Sequence, residues 1–247
     1  MTPTSLLPSR LRRRIEAAGP IRVGLIGAGK FGSMFLAQVP TSPHIDVAAI
    51  ADLDPERAKS ACRAVGWNDE RIGRTGFVED GTALIAGPDV EVVIEATGNP
   101  LAGIRHALAA SAEGKHIVMV NVEADVLAGP YLAAEARQAG TVYSMAYGDQ
   151  PALVCEMVDW ARACGFPVVA AGKGTRYQPR FHTLTPDTVW SEYGLTAEAA
   201  DAAGMNPQMF CSFMDGTKSA IEMAAIANAT GLDVPEHGLA FPPCSMD

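Results

Sequence analysis

The stretch "IRVGLIGAGKFG", Ile21 to Gly32, decides the fold of this chain. A largely apolar segment typical of a buried strand runs directly into a turn with three glycines, and the following "FGSMFLAQV" has apolar side chains at helical spacing. A strand, a glycine turn and a helix in this order are typical of sites that bind a dinucleotide. Gly27 allows the tight turn, Gly29 lets the backbone approach a pyrophosphate, and Gly32 lets the helix pack against the strand.

Two features of the flanking sequence support this interpretation. The second predicted strand, "IDVAAIAD", ends at Asp52, whose carboxylate would accept hydrogen bonds from the ribose hydroxyls. The backbone amides at the start of the helix, at Lys30 and Phe31, would face the phosphates. The alternative is a glycine turn of purely structural use beside a solvated Asp52.

The residues around Asp52 bear on the choice of cofactor. A carboxylate at this position repels a 2′-phosphate, and the next residue, Leu53, offers no positive charge, which favours NAD. Arg57 follows one helical turn later, and its guanidinium could reach a 2′-phosphate, which keeps NADP open. We therefore expect NAD or NADP as the cofactor, with the balance toward NAD.

Six predicted strands alternate with helices between residues 21 and 149. The strands are almost continuously apolar, which indicates a parallel sheet that is covered by helices on both faces. We predict an α/β fold, a doubly wound Rossmann sheet, over residues 20–150. A basic helical arm is expected over residues 1–19, and the polar segment 67–80 is expected to be irregular.

The pattern changes after Asp149, and a partial α+β domain is expected over residues 151–247. Its predicted elements are a helix at 151–165, strands at 167–174 and 208–215, and a helix at 217–231. The sequence then ends in "EHGLAFPPCSMD", which has the composition of a loop and suggests that the domain is incomplete.

Composition argues against some classes of function. The net charge of −9 and the pI near 5.0 argue against a nucleic-acid surface, which needs a basic field. No apolar run approaches the ~18 residues that a membrane-spanning helix needs. The five cysteines are odd in number and form no C-x-x-C pair, which is typical of reduced thiols in a cytoplasmic protein.

Polar residues follow the fourth and fifth predicted strands, at the edge where open α/β sheets bind ligands. In "EATGNP", Thr97 and Gly98 could meet the nicotinamide half of the cofactor through a small side chain and a close backbone; a plain strand-to-helix turn is the alternative. In "HIVMVNVEADV", Asn121 is assigned to the same cofactor site. Glu123 belongs either to the site or to a solvated surface, and Asp125 is expected to cap the following turn.

Three residues of the second part are candidates for catalysis, since carbonyl reduction needs a proton donor and charge near the developing alkoxide. Lys173 lies between two glycines in "AGKGT", where its ammonium could reach into a crevice; an exposed loop lysine is the alternative. Asp215 and Lys218 flank a predicted helix start that Thr217 would cap. A lysine there opposes the helix dipole, which favours a role in a site, although a structural Asp–Lys pair is the alternative.

Other charged residues suggest further ligands. Asp149, after the sixth strand, and Glu123 could act in catalysis by holding Mg²⁺ or Mn²⁺. Arg176, Arg180 and His182 could bind a phosphate or carboxylate, or could form a solvated loop. We therefore expect a small-molecule substrate, with an anionic one among the options.

Five phrases together, "GLIGAGKFG", "EATGNP", "VNVEADV", "AGKGT" and "FMDGTKSAIEMAAIANATGL", resemble homoserine-dehydrogenase-like proteins that carry a C-terminal SAF domain. That group includes the deoxyxylulose phosphate reductoisomerase-like enzymes of isoprenoid precursor synthesis. The resemblance extends over nearly the whole chain from Ile21. It implies an NAD(P)-dependent oxidoreductase of a small hydroxy or keto compound, and a homo-oligomer assembled through the second, catalytic and oligomerisation domain. It also supports Asp215 and Lys218, since homoserine dehydrogenases use an Asp and a Lys at a comparable junction.

One position departs from this family. Homoserine dehydrogenases place a catalytic lysine in T-A-N-K-A, whereas this chain has V-N-V-E-A, with Val122 or Glu123 in place of the lysine. Homoserine is therefore not the expected substrate. Members of the family are longer than 247 residues, which suggests a fragment without its SAF domain. A non-catalytic dinucleotide-binding scaffold or sensor is the alternative from another class of function, and a chain that truly ended at Asp247 would favour it.

Overall fold

The computed structural model describes residues 6–175, 177–238 and 241–242, with side chains described from Ser9 onward. The chain divides into two compact units, Met1–Ala146 and Tyr147–Asp247. Each unit has its own buried apolar clusters, and each is described by itself.

The first unit is built on one parallel sheet. Its elements are α1 (Leu6–Ala18), β1 (Ile21–Ile26), α2 (Lys30–Gln38), a 3₁₀ turn (Val39–Thr41), β2 (Ile45–Ala51), α3 (Pro55–Ala64), α4 (Asp69–Arg74), β3 (Gly76–Val78), α5 (Gly81–Ala86), β4 (Val92–Glu95), α6 (Pro100–Ala112), β5 (His116–Met119), α7 (Val122–Gln138) and β6 (Tyr143–Met145). The strands lie in the order β3-β2-β1-β4-β5-β6, and every pair is parallel. This order confirms the predicted α/β, doubly wound Rossmann fold.

The strand register brings four strand ends to one edge of the sheet. Ile26 of β1 lies beside Ala51 of β2 and Glu95 of β4, and β5 ends level with β4 at Met119. The predicted cofactor residues of the first unit follow directly after these four ends. They therefore share the edge at which open α/β sheets bind ligands.

Apolar side chains cover both faces of this sheet. Because successive residues of a strand point to opposite faces, Leu25 and Ile26 belong to different buried clusters. The cluster around Leu25 includes Leu36 of α2 and Trp67, whose indole Nε1 donates to the Leu36 carbonyl oxygen at 2.8 Å. The cluster around Ile26 includes Leu132 of α7. Helices thus pack on both faces, and each fully buried leucine contributes about 1.5–3 kcal/mol to stability.

Two local predictions for the first unit are wrong. Segment 67–80 is not irregular but contains α4 and β3, because the Asn68 side chain caps α4 and β3 extends the sheet beside β2. α7 begins at Val122, so Asp125 lies inside its first turn rather than in a capping turn. There the buried Asp125 carboxylate accepts a hydrogen bond from the Tyr143 hydroxyl of β6 at 2.8 Å.

The described part of the second unit is helical. Its elements are α8 (Gln150–Ala163), a 3₁₀ turn (Pro179–Thr183), α9 (Val189–Tyr193), α10 (Ala197–Ala202), α11 (Pro207–Met214) and α12 (Thr217–Thr230). The helices predicted at 151–165 and 217–231 are confirmed, whereas the strands predicted at 167–174 and 208–215 are wrong. In the part of the chain that the structure describes, no helix combines the length and apolar character needed to span a bilayer.

The two wrong strands have separate physical reasons. α11 starts with signals that outweigh its β-prone composition: Asn206 accepts a hydrogen bond from the Met209 amide at 3.1 Å, and Pro207 follows at the first helical position. Segment 167–174 has an apolar, β-branched run, but the second unit as described contains no strand that could pair with it. A lone strand would leave its backbone groups without partners.

The buried Asp125 predicts a pH dependence of stability. Burial raises the pKa of Asp125, and the Tyr143 hydrogen bond offsets only part of this effect. The folded state therefore binds this proton more tightly than the unfolded chain, so stability falls as pH rises through the folded-state pKa. Asp125→Asn keeps an acceptor for Tyr143 and does not titrate. We expect the melting temperature of the variant minus that of the wild type to increase between about pH 4 and pH 8.

Thermal melts followed by circular dichroism across this pH range measure the gain. The matched control is Asp159→Asn, which removes the same formal charge from an exposed position and should show no such trend. A difference between Asp125→Asn and wild type that stays constant or shrinks with rising pH would contradict the assignment.

Candidate functional site

Three glycines shape the turn between β1 and α2. Gly27 has a φ of +97°, and a Cβ there would lie 2.7 Å from the Ala96 carbonyl oxygen. A Cβ on Gly32 would lie 2.3 Å from the carbonyl oxygen of Gly27. Gly29 differs, since in the described part of the chain no atom beyond its own neighbours in sequence lies within 4 Å of the place that its Cβ would take. Close backbone packing therefore requires Gly27 and Gly32, whereas Gly29 keeps open the space that a ligand would need.

The start of α2 is suited to an anion. Gly29 is its N-cap and makes no side-chain cap. The amides of a helix's first turn, here including Lys30 and Phe31, have no partner within the helix and attract negative charge. The side chains of Lys30 and Phe31 are exposed, so the contribution predicted for these residues comes from their backbone.

Asp52 ties the glycine turn to the end of β2. Only 6% of this residue is exposed, and its carboxylate accepts hydrogen bonds from the amides of Ala28 (2.9 Å) and Asp54 (3.1 Å) and from the Arg57 guanidinium (2.6 Å). Burial opposes ionisation, but the donors outweigh it, and the pKa of Asp52 is lowered. The end of β2 therefore carries a fixed carboxylate anion, where the sequence predicts a ribose.

The turn after β4 is held by the Thr97 hydroxyl. This hydroxyl donates to Glu95 Oε1 at 2.6 Å and accepts from the Asn99 amide at 3.3 Å and from Asn121 Nδ2 at 3.4 Å. Gly98, at the tip of the turn, is exposed and has a φ of +70°. Its backbone is open to a ligand, in keeping with the close approach predicted at this position.

Asn121 joins the ends of β4 and β5. It is only 2% exposed, its Nδ2 donates to the Asn99 carbonyl oxygen at 2.8 Å, and its Oδ1 accepts from the Ala124 amide at 3.1 Å as the N-cap of α7. Gly103 of α6 packs closely against it, since a Cβ there would lie 2.7 Å from Asn121 Nδ2. The structure thus places Asn121 among the groups that fix the turn, and its contact with the cofactor stays a prediction.

Glu95 and His106 are not among the residues predicted from the sequence. Glu95, the last residue of β4, is fully buried, and its Oε1 lies 3.1 Å from Nδ1 of His106 on α6. Its Oε2 has no hydrogen-bond partner among the described residues. A signal was present, because "VVIE" places a carboxylate at the end of an apolar strand, and glutamate is seldom fully buried without a specific partner.

The two carboxylates proposed for a metal lie in different units. Glu123 is half-buried in the first turn of α7, where a negative charge suits the helix dipole. Asp149 is the N-cap of α8 and accepts from the Gln150 amide at 3.0 Å. The described ranges contain no group of three or more His, Cys, Asp or Glu residues that could hold a metal ion, so the predicted Mg²⁺ or Mn²⁺ has no support.

The Lys173 side chain is held in place by contacts within the second unit. It forms an ion pair with Glu222 of α12, and both side chains are largely buried. It also lines a cavity of about 830 Å³ whose wall is mostly apolar and includes Met223 and Phe241. The alternative of an exposed loop lysine is therefore wrong.

Asp215 and Lys218 both lie at the junction of α11 and α12. Asp215 is the C-cap of α11 and accepts from the Thr217 amide at 2.8 Å. Lys218 is half-buried in the first turn of α12, as predicted, but the N-cap is Gly216 rather than Thr217, with a φ of +94°. The junction therefore brings a carboxylate and an ammonium into one turn of chain.

The residues proposed for an anion have local partners where they are described. Arg180 lies 3.2 Å from a Glu192 carboxylate oxygen, and His182 Nδ1 lies 3.4 Å from the Tyr177 hydroxyl. Arg176 lies outside the described residues. Arg180 and His182 thus each contact a residue of their own surroundings, and the anion site proposed for the three residues stays a prediction.

Two family models match separate parts of the chain. Residues 21–121 match the model described as "Oxidoreductase family, NAD-binding Rossmann fold". Residues 148–247 match the model described as "Oxidoreductase DRL, catalytic domain". The first match supports a dinucleotide site at the glycine turn, and the second supports a catalytic role for the helical unit.

Individual relatives match the chain in part. Over 120 residues it is 35% identical to an inositol 2-dehydrogenase from Acidothermus cellulolyticus, which covers 48% of this chain and 33% of that protein. Over 111 residues it is 30% identical to a homoserine dehydrogenase from Neisseria gonorrhoeae, which covers 41% of this chain and 23% of that protein. The matched regions thus span a third or less of these curated relatives. The predicted resemblance is supported at the level of NAD-binding oxidoreductases, and the homoserine-dehydrogenase-like and reductoisomerase-like subclasses stay predictions.

A solved structure supports the fold. The crystal structure of a "probable dehydrogenase" from Thermotoga maritima aligns with a TM-score of 0.50 at 17% identity, and the alignment covers 87% of this chain and 56% of that one. At this identity the likeness concerns the fold alone.

The glycine turn predicts that folding and dinucleotide binding can be separated. Gly29→Ala places a methyl group in open space, so we expect an unchanged melting temperature but a loss of dinucleotide affinity of about tenfold or more. Gly32→Ala forces a methyl group against the Gly27 carbonyl oxygen and should lower the melting temperature of the protein alone. Thermal melts and fluorescence titration with NADH and NADPH measure both effects. Full affinity in Gly29→Ala would show that the ligand does not approach this turn.

Proposed function

We propose that this chain acts as an NAD(P)-dependent oxidoreductase that interconverts a small hydroxy compound and the corresponding keto compound. The observation that carries the proposal is the glycine turn, where Gly27 and Gly32 are fixed by backbone packing while Gly29 faces open space at an uncapped helix start. The matches of both units to oxidoreductase models support it.

The residues of the first unit fit the parts of a dinucleotide. The amides at the start of α2 suit the pyrophosphate, the Asp52 carboxylate suits the ribose hydroxyls, and the turn from Thr97 to Asn99 suits the nicotinamide half. When bound, a reduced nicotinamide supplies a hydride to a carbonyl carbon, so the protein has to supply a proton to the carbonyl oxygen.

Lys218 is the proposed proton donor, with Asp215 as its partner at the site. The helix dipole disfavours a cation in the first turn of α12, so the position of Lys218 is better explained by function than by stability. Lys173 is a second candidate, because its pairing with Glu222 holds its ammonium at the wall of the cavity. Glu123 and Asp149 remain candidates that the proposal does not need.

The proposed substrate is a small hydroxy or keto compound, and assays with individual compounds identify which one is used. Aspartate semialdehyde tests a homoserine-dehydrogenase-like reaction, and deoxyxylulose phosphate tests a reductoisomerase-like reaction. Inositol is included because a partial match is an inositol 2-dehydrogenase. Each is assayed with both cofactors, with and without Mg²⁺ or Mn²⁺, by the absorbance of reduced nicotinamide. Dinucleotide binding with no turnover of any compound would favour the scaffold or sensor alternative. A cytoplasmic location and a homo-oligomer complete the proposal.

Asp52 should set the preference between the two cofactors. Wild type is expected to bind NADH more tightly than NADPH, because the Asp52 carboxylate repels a 2′-phosphate. Asp52→Asn removes this charge and frees Arg57 from its ion pair, so the affinity ratio should move toward NADPH by about tenfold. The ratio is the informative quantity, because Asn has one acceptor oxygen in place of two and a weaker hold on the backbone around it affects both ligands. Fluorescence titrations of each cofactor measure it.

Arg57→Leu is the matched variant for this experiment. It should preserve the preference for NADH in the wild-type background and abolish the gain in NADPH affinity in the Asp52→Asn background. A wild type that prefers NADPH and loses that preference in Arg57→Leu would assign control to Arg57 and contradict the prediction.

Lys218→Gln should separate catalysis from folding. We expect an unchanged or slightly raised melting temperature, because the substitution removes a cation whose opposition to the helix dipole is worth about 0.3–1 kcal/mol. Turnover should fall by about 10²–10⁴-fold, the loss expected for a positioned acid, while dinucleotide affinity stays nearly intact. The control is Lys59→Gln, a lysine that pairs with Glu56 on α3. A large fall in melting temperature with a proportionate loss of turnover would make Lys218 structural.

A further inference from the structure

A chain of hydrogen bonds leads from the exposed turn after β4 to a buried carboxylate. The turn contains Thr97 and Asn99, and the Thr97 hydroxyl donates to Glu95 Oε1 at 2.6 Å. The same oxygen lies 3.1 Å from Nδ1 of His106. Nδ1 of His106 can donate to this oxygen in the tautomer that carries the hydrogen on Nδ1. Glu95 is thus held by one residue from α6 and holds one residue of the turn.

The Thr97 hydroxyl has no capacity left for a ligand. A hydroxyl has one hydrogen to donate and two lone pairs that accept. Its hydrogen goes to Glu95, and its lone pairs face the Asn99 amide at 3.3 Å and Asn121 Nδ2 at 3.4 Å. Thr97 therefore cannot serve a cofactor by donating from its hydroxyl without breaking this arrangement. What it can do is fix the backbone of the exposed turn.

Burying the Glu95 side chain at this position costs free energy. It is fully buried between β1 and β5, and its Oε2 has no hydrogen-bond partner among the described residues. An apolar side chain would fill this part of the sheet without burying a carboxylate. Fold stability alone therefore does not explain Glu95. Among the described contacts of Glu95, only the hydrogen bond from Thr97 reaches the edge of the sheet.

We propose that Glu95 is the positioning residue for the nicotinamide half of the cofactor. It acts through Thr97, by fixing the backbone of the turn from Thr97 to Asn99, and it does not itself touch the ligand. The inference rests on the proposed function, because it takes this turn as the nicotinamide side of the dinucleotide site. It predicts that a buried residue controls one half of the ligand and leaves the other half unaffected.

The experiment compares NADH with ADP-ribose, which has the adenosine, pyrophosphate and second ribose but no nicotinamide; NADPH replaces NADH if wild type prefers it. Thr97→Val removes the hydroxyl at nearly constant shape, and Thr97→Ser keeps it as the matched control. We expect Thr97→Val to lose about tenfold in affinity for NADH and nothing for ADP-ribose. Thr97→Ser should stay within about threefold of wild type for both ligands.

Glu95 variants test the buried end of the same chain. Glu95→Gln keeps an oxygen that can accept from Thr97 and His106, so it should retain NADH affinity. Glu95→Leu removes that acceptor and should reproduce the loss seen in Thr97→Val. Because the two residues act in series, the variant carrying both Glu95→Leu and Thr97→Val should be no weaker than either alone. Thr97 is exposed, so its pair of variants decides the matter even if Glu95→Leu does not fold.

The possible outcomes are distinct. Equal losses for NADH and ADP-ribose in Thr97→Val would mean a general structural role and overturn the proposal. Additive losses in the double variant would mean that Thr97 acts without Glu95 and would overturn it too. Full NADH affinity in Thr97→Val would also overturn the proposal. A wild-type protein that binds neither NADH nor ADP-ribose would refute the proposed function itself, which separates that failure from failure of the inference.

Discussion

The approach of α2 to the end of β1 is the constraint on which the first unit depends. The helix can start directly after the strand because Gly32 places its α-carbon against the Gly27 carbonyl oxygen, where a Cβ would lie 2.3 Å from that oxygen. This contact fixes the direction of α2 and leaves Gly29 at an uncapped helix start beside open space. The same packing that closes the fold therefore creates the place where an anionic ligand fits.

Buried polar residues join the strand ends around that turn. Asp52 binds the Ala28 amide and Arg57, so that the glycine turn, β2 and α3 share one carboxylate. On the other side of β1, Glu95 and Asn121 hold the turn after β4. Each of these residues would be costly in an apolar sheet without its partners. These buried polar side chains are concentrated at one edge of the sheet, where they fix the positions of the turns.

The second unit holds its candidate charged side chains on helices and loops and not at strand ends. Lys173 and Glu222 pair at low exposure beside a mostly apolar cavity, and Asp215 with Lys218 occupies a helix-to-helix junction. Charged groups in a helical unit can be held in place without a sheet, because caps and ion pairs fix them. The match of this unit to the model of an oxidoreductase catalytic domain agrees with such a role.

The sequence by itself determined the Rossmann fold, its parallel sheet and the glycine turn, because apolar periodicity and glycine placement are local properties, although β3 lies in a segment that was expected to be irregular. It also located Asp52 and Thr97 at strand ends. The strand predicted at 208–215 missed a local signal, because Asn206 and Pro207 start a helix there. The sequence could not decide 167–174, because whether a partner strand lies beside it depends on the fold. The Glu95–His106 contact, the burial of Asp125 under Tyr143 and the pairing of Lys173 with Glu222 were decided by tertiary structure alone. Each joins residues from separate elements, and only packing in three dimensions sets which side chains meet.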